Sequence, residues 1–164
     1  MKRNQGFTLI ELIIVIVILG ILAVTAAPRF LNFAGDARVS VLNGVKGALE
    51  SAGSLIYGKA VIAGDQSAAN ALLTDPAINV VFGYPAATVD DLRVAAELDA
   101  AEWTLAVSTA DNAPGFGAVG TTSVVISAAG STVSATEADA CHVVYVQSTA
   151  DGVKPVITVH ADGC

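Results

Sequence analysis

Lys2-Arg3-Asn4-Gln5-Gly6-Phe7-Thr8-Leu9-Ile10-Glu11 opens the chain and runs directly into an apolar stretch that extends to Ala27, with Glu11 its only charge. In an ordinary secretory signal the cleavage site follows the apolar stretch, which is then discarded. Here the natural processing point, a small glycine after two cations, precedes it. Cleavage between Gly6 and Phe7 keeps the apolar segment as a new N-terminus. As a helix, Phe7 to Ala27 would be about 31 Å long at ~1.5 Å per residue, close to the thickness of a bilayer's hydrocarbon core. Lys2 and Arg3 place the N-terminus on the cytoplasmic side and send everything after Pro28 outside.

A permanent signal anchor holding an exported domain fits these facts equally well. Glu11 separates the readings. A carboxylate inside a membrane span costs about 2.5–3.5 kcal/mol on insertion scales, and such residues usually mark function. Cleavage before Phe7 creates an α-amine one helical turn from Glu11, opposite in charge near neutral pH. The pair closes within one chain or between neighbouring chains. Gly20 and Pro28 punctuate the segment, since glycine costs about 1 kcal/mol relative to alanine and an internal proline about 3 kcal/mol. A plain kink and a stretch that unwinds on packing both fit this Gly20–Pro28 hinge.

Gly6-Phe7-Thr8-Leu9-Ile10-Glu11 resembles the prepilin cleavage motif of bacterial type IV pilins and the related secretion pseudopilins. The match extends through Gly20 and Pro28 and covers residues 1 to about 58. Ala26-Ala27-Pro28-Arg29-Phe30-Leu31-Asn32, Lys46-Gly47-Ala48-Leu49, Tyr57-Gly58-Lys59-Ala60 and the terminal Cys164 resemble the mannose-sensitive haemagglutinin (MSHA) branch. The resemblance implies a cleaved leader (1–6), a transmembrane and assembly helix (7–28), and a globular pilin domain (29–164) with a disulfide-bonded C-terminal region. It further implies that a prepilin peptidase cuts after Gly6 and methylates the Phe7 amine, which keeps its charge. Glu11 then sets axial register as a subunit docks, and Gly20–Pro28 unwinds in the filament. The implied partners are further copies of the chain, the peptidase/methyltransferase, the inner membrane before assembly and the pilus assembly machinery. The destination is an extracellular pilus of a Gram-negative bacterium, used for adhesion and biofilm formation. A minor pilin or a type II secretion pseudopilin shares the leader, Glu11 and the helix.

The chain has 164 residues, 54% of them hydrophobic, and a net charge of −7. Beyond the apolar segment, what remains is of single-domain size. An acidic surface disfavours phosphate backbones, and no basic patch with interleaved aromatics appears, so nucleic acid is not an expected partner. Cys141 and Cys164 suit an oxidising compartment.

Ala34, Ala37, Val41, Val45, Ala48, Ala52 and Leu55 recur at helical spacing, which extends the helix to about Tyr57. Residues 59–103 read as a connecting region: Asp65-Gln66-Ser67-Ala68 caps a short helix to Leu73, Gly83-Tyr84-Pro85 marks a turn, and Thr88-Val89-Asp90-Asp91 caps a helix to about Ala100. Thr104–Thr109, Ser123–Ala128, Cys141–Thr149 and Val153–Ala161 read as strands. Asp151-Gly152 marks a hairpin. A four-residue turn places Cys141 opposite Cys164, and a tighter one shifts them by about one pair, so either register favours a bridge. The expected fold class is α+β, a long N-terminal helix with a protruding apolar half on a small antiparallel sheet.

His142 and His160 beside the cysteines invite a zinc reading. Adjacent strand residues point to opposite faces, however, so Cys141 and His142 do not converge on one metal. Asp90 and Asp91 lack the spacing of a calcium loop and suit a helix N-terminus. Ser108, Ser123 and Ser127 form no nucleophile motif with the histidines, and Gly115-Phe116-Gly117 reads as loop. No enzyme activity, metal or cofactor is expected.

Overall fold

The computed structural model describes residues 7–108, 122–131, 133–134 and 136–164, with the side chains of 25–32 outside the description. Gly6, Lys2 and Arg3, the side chain of Pro28, Thr109 and Gly115-Phe116-Gly117 therefore lie outside the described residues. The chain forms two compact units, one ending at Ala37 and the other spanning Arg38–Cys164.

Helix α1 spans Leu9–Ala63 and is continuous through Gly20 and Pro28. Within the second unit its buried face is Leu42, Val45, Leu49, Ala52, Ile56 and Ala60. The expected face shares Val45 and Ala52 but is rotated, because Val41 and Leu55 are exposed. Two neighbouring stripes have the same periodicity here. The stripe carrying Leu42, Leu49 and Ile56 removes more apolar area from water, at roughly 25 cal/mol per Å², and it takes the core.

Residues 59–103 are not merely a connection. Strands β1 (Ala71–Thr74), β2 (Ala77–Val81) and β3 (Tyr84–Pro85) form an antiparallel sheet in that order. The expected short helix ending at Leu73 is replaced by β1. Leu73 pairs with Ile78, and both are buried with Val80 against Ile56 and Ala60. Asp75-Pro76 closes the β1–β2 hairpin, with Thr74 paired to Ala77. The next turn is Phe82-Gly83, with φ of 50° and 81°, so the expected turn falls one residue early and Tyr84–Pro85 becomes strand. Two consecutive left-handed residues match the twist of a tight hairpin.

Helix α2 covers Val89–Ala96, and the Thr88 side chain accepts from the Asp91 N–H as expected. It stops short of Ala100 because Glu97 adopts a left-handed conformation, φ 52°. Arg93 then donates to the carbonyls of Leu98 and Trp103, which lie beyond the end of the helix.

A four-stranded antiparallel sheet follows: β4 (Trp103–Val107), β5 (Ser123–Ala128), β6 (His142–Val146) and β7 (Val156–His160), in chain order. Leu105, Val124, Ile126, Val143 and Tyr145 pack on Leu42, Val45 and Leu49. The fold is thus α+β, with the long helix packed against antiparallel sheets. β5 and β6 are also buried on their other face, where Val125, Val144 and Val146 meet Val133. A sheet covered on both sides explains why β6 reads as an unbroken apolar run instead of an alternating one.

The β6–β7 register differs from the expected one. His142 pairs with His160, which puts Cys141 level with Ala161 instead of Cys164. A final turn, closed by Cys164 N–H to the Ala161 carbonyl, folds the end of the chain back. Cys141 and Cys164 are bridged, with Cα atoms 4.9 Å apart.

Candidate functional site

The head of α1 is organised by two side chains. Glu11 Oε2 accepts from the Thr8 main-chain N–H at 2.8 Å and from its hydroxyl at 2.7 Å, and Thr8 Oγ1 accepts from the Glu11 N–H at 3.3 Å. This is a reciprocal capping box, in which a Thr and a Glu three residues on satisfy the free donors of a helix start. Thr8-Leu9-Ile10-Glu11 is the sequence signature of that device, and reading Glu11 only as the partner of the Phe7 amine missed it. Glu11 therefore has a structural role within its own chain. The same box brings the carboxylate to the main-chain N–H of Thr8, the residue that follows Phe7, which cleavage would make N-terminal.

Below the head, the described side chains of the apolar segment face outward. Phe7 is 92% exposed, and Leu9, Ile10, Leu12, Leu19, Ile21 and Val24 are all more than half exposed. Such a surface is far larger than the few hundred Å² of contiguous apolar patch usual on a soluble monomer, so a neighbouring phase or molecule must cover it. Gly20 lies on this segment with open space where a Cβ would stand. Among the described residues no helix is long and apolar enough to cross a membrane. The described side chains of the expected span run only to Val24, and residues 25–28 fall outside them.

In the second unit the C-terminus is tied down at three points. The disulfide joins it to the start of β6. Arg38 Nη1 donates to the Cys164 main-chain oxygen at 2.9 Å. Gly163 donates to the Ala140 carbonyl at 2.9 Å and lies so close to the main chain of Asp139 that a Cβ there would overlap it. Asp91 is buried, accepting from the Asn79 N–H at 2.8 Å and from Thr88, so it links α2 to β2. Asp90 is exposed. Among the described residues no group of three or more His, Cys, Asp or Glu side chains is arranged to hold a metal ion. Ser127, His142 and His160 come together on one face of the sheet, a proximity that their sequence separation conceals.

Comparison with known proteins agrees with this organisation. Residues 1–27 match the family model of the prokaryotic N-terminal methylation motif. The chain is 41% identical over 70 residues to the type IV narrow pilus major component of Thermus thermophilus, covering 42% of this chain and 60% of that one. A fimbrial protein of Pseudomonas aeruginosa is 41% identical over 66 residues, 38% of this chain and 42% of its own. The type IV major pilin protein of Myxococcus xanthus is 55% identical over 38 residues, 23% of this chain and 17% of its own. The chain thus spans at most 60% of the length of these relatives. No solved structure matches it significantly. The methylation motif, the relatives and the helix-on-sheet fold together support a type IV pilin.

Proposed function

We propose that this chain is the major structural subunit of an MSHA-like type IV pilus. A peptidase removes residues 1–6 after Gly6 and the new Phe7 amine is methylated. The subunit waits in the inner membrane through residues 7–28 with its acidic domain outside. It then polymerises through the same apolar helix into a surface filament for adhesion and biofilm formation. The observation that carries this reading is the exposed apolar surface of Phe7 and of α1 as far as Val24, organised by the Thr8–Glu11 box. One surface serves both phases, because lipid tails and neighbouring apolar helices are alternative covers for it. During docking, Glu11 exchanges its local hydrogen bonds for an ion pair with the amine of an adjacent subunit.

The capping box supplies a clean test. Glutamine also serves at the third helical position of the box, so Glu11→Gln keeps the helix start and removes the charge. Both Glu11→Gln and Glu11→Ala should be cleaved normally and yield at least tenfold less sheared filament. Normal filament from Glu11→Gln with loss only in Glu11→Ala would assign Glu11 to helix capping alone.

A further inference from the structure

The tripeptide Ala-Asp-Gly occurs twice in the chain, at Ala150-Asp151-Gly152 and at Ala161-Asp162-Gly163, and Asn43-Gly44 is a related pair. In all three, the side-chain carbonyl carbon and the next main-chain nitrogen can close a succinimide ring. Glycine has no Cβ to obstruct its nitrogen, which makes these the pairs most open to such closure. The reaction still needs a glycine nitrogen free to attack and a peptide free to turn.

Exposure does not separate the sites, because Asn43, Gly44, Asp151, Gly152, Asp162 and Gly163 are all exposed. Their main chains do. Gly44 lies inside α1, where its N–H belongs to the helical ladder, and Asn43 Nδ2 donates to the Val39 carbonyl at 2.9 Å. Gly163 donates its N–H to the Ala140 carbonyl and abuts the main chain of Asp139. Gly152 sits in the β6–β7 turn with φ 74° and open space where a Cβ would stand. That turn is closed by the Val153 N–H on the Ala150 carbonyl at 3.1 Å. The Ser148 hydroxyl braces it, 2.7 Å from the Val153 carbonyl and 3.0 Å from that of Ala150. These bonds leave out the Asp151–Gly152 peptide, so it can rotate while the turn stays closed.

We propose that Asp151 is a self-modifying site, where the chain isomerises its own main chain with water as the only reagent. The Gly152 nitrogen attacks Cγ of the protonated Asp151 carboxyl. An N–Cγ bond forms, the Cγ–OH bond breaks, and the hydroxyl leaves as water with the proton from nitrogen. The succinimide then takes up one water. Opening at the Cγ–N bond restores aspartate. Opening at the bond between the Asp151 main-chain carbonyl and nitrogen routes the chain through Cβ and Cγ and frees the old carbonyl as a carboxylate. The product is isoaspartate, with mass and charge unchanged and one extra carbon in the main chain of the turn. The second Ala-Asp-Gly has the same local sequence and is held unreactive by the tie from Gly163 to Ala140.

The test incubates the full chain in detergent, folded and, in parallel, reduced and unfolded in guanidinium, in water enriched in oxygen-18. Each passage through the succinimide places a solvent oxygen in the product. Peptide mapping with electron-transfer fragmentation locates the label and the altered linkage. In the folded chain, isoaspartate at 151 should exceed that at 162 and that formed from Asn43 by at least tenfold. In the unfolded chain the two Ala-Asp-Gly sites should agree to within about threefold. Asp151→Glu, which keeps the charge but would need a larger ring, should abolish the signal at 151. Absence of isoaspartate at 151 in the folded chain, or less than a tenfold excess over either other site, would overturn the proposal. A larger than threefold difference between the two Ala-Asp-Gly sites in the unfolded chain would also overturn it, since the selection would then not come from the fold.

Discussion

The Tyr145 hydroxyl donates to the Pro85 carbonyl at 2.7 Å, the contact that joins the four-stranded sheet to the three-stranded one. Both residues are buried, so neither group has water as an alternative partner. Tyr145→Phe keeps the ring in the core and leaves the carbonyl unsatisfied. The expected cost is about 1–3 kcal/mol, measured by denaturant unfolding of the full chain in detergent.

The same phenol gives a pH dependence. Burial, with a smaller contribution from Tyr84 beside it, pushes the Tyr145 hydroxyl well above the usual tyrosine range. The folded state therefore holds a proton that the unfolded chain releases near pH ~10. This part of the stability is complete below that pH and is lost as pH rises further, by about 1.4 kcal/mol per unit. Tyr145→Phe should lack this alkaline slope. Equal slopes in the two proteins would show that the hydroxyl is not buried as described.

Asp91 satisfies the Asn79 N–H and completes the cap of α2 with Thr88. Asp91→Ala removes both at once, with an expected loss of about 2–3 kcal/mol. Asp90→Ala, at an exposed position in the same turn, should cost no more than about 0.5 kcal/mol. The pair of variants measured side by side separates the buried link from generic helix-end charge.

Gly163 tests the C-terminal tie. A Cβ at this position would overlap the Asp139 main chain. Gly163→Ala should displace the last turn and leave a measurable fraction of Cys141 and Cys164 as free thiols. Thiol labelling and intact mass report that fraction directly. Reduction of the bridge in the wild type should itself cost about 3 kcal/mol, the entropy of a loop of this length.

What the sequence made legible follows physical rules of differing range. The β5 strand was readable to the residue because Ser123–Ala128 is rich in Val and Ile and flanked in sequence by Thr121-Thr122 and Gly130-Ser131. The α2 cap was readable because Thr88 and Asp91 act within four residues. Where two solutions satisfied the same local rule, three-dimensional packing decided: the rotated face of α1, the strand at Ala71–Thr74, and the register that sets Cys141 beside Ala161. Phe82 and Glu97 hold left-handed backbones although neither is a glycine. Thr8 and Glu11 were legible as a capping box from spacing alone, but the membrane cost of the carboxylate drew the reading elsewhere. The Ser127–His142–His160 row depends on strand register, which residue spacing leaves open.

Processing between Gly6 and Phe7 decides whether the apolar segment becomes the new N-terminus. Intact mass and N-terminal sequencing of protein sheared from the cell surface, compared with the membrane fraction, tests it most directly. The expected result is an abundant sheared species that begins at methylated Phe7 and is lighter by two protons than its reduced form. An intact leader on the protein of a peptidase-competent cell would contradict the proposal and return the apolar segment to the role of a simple anchor.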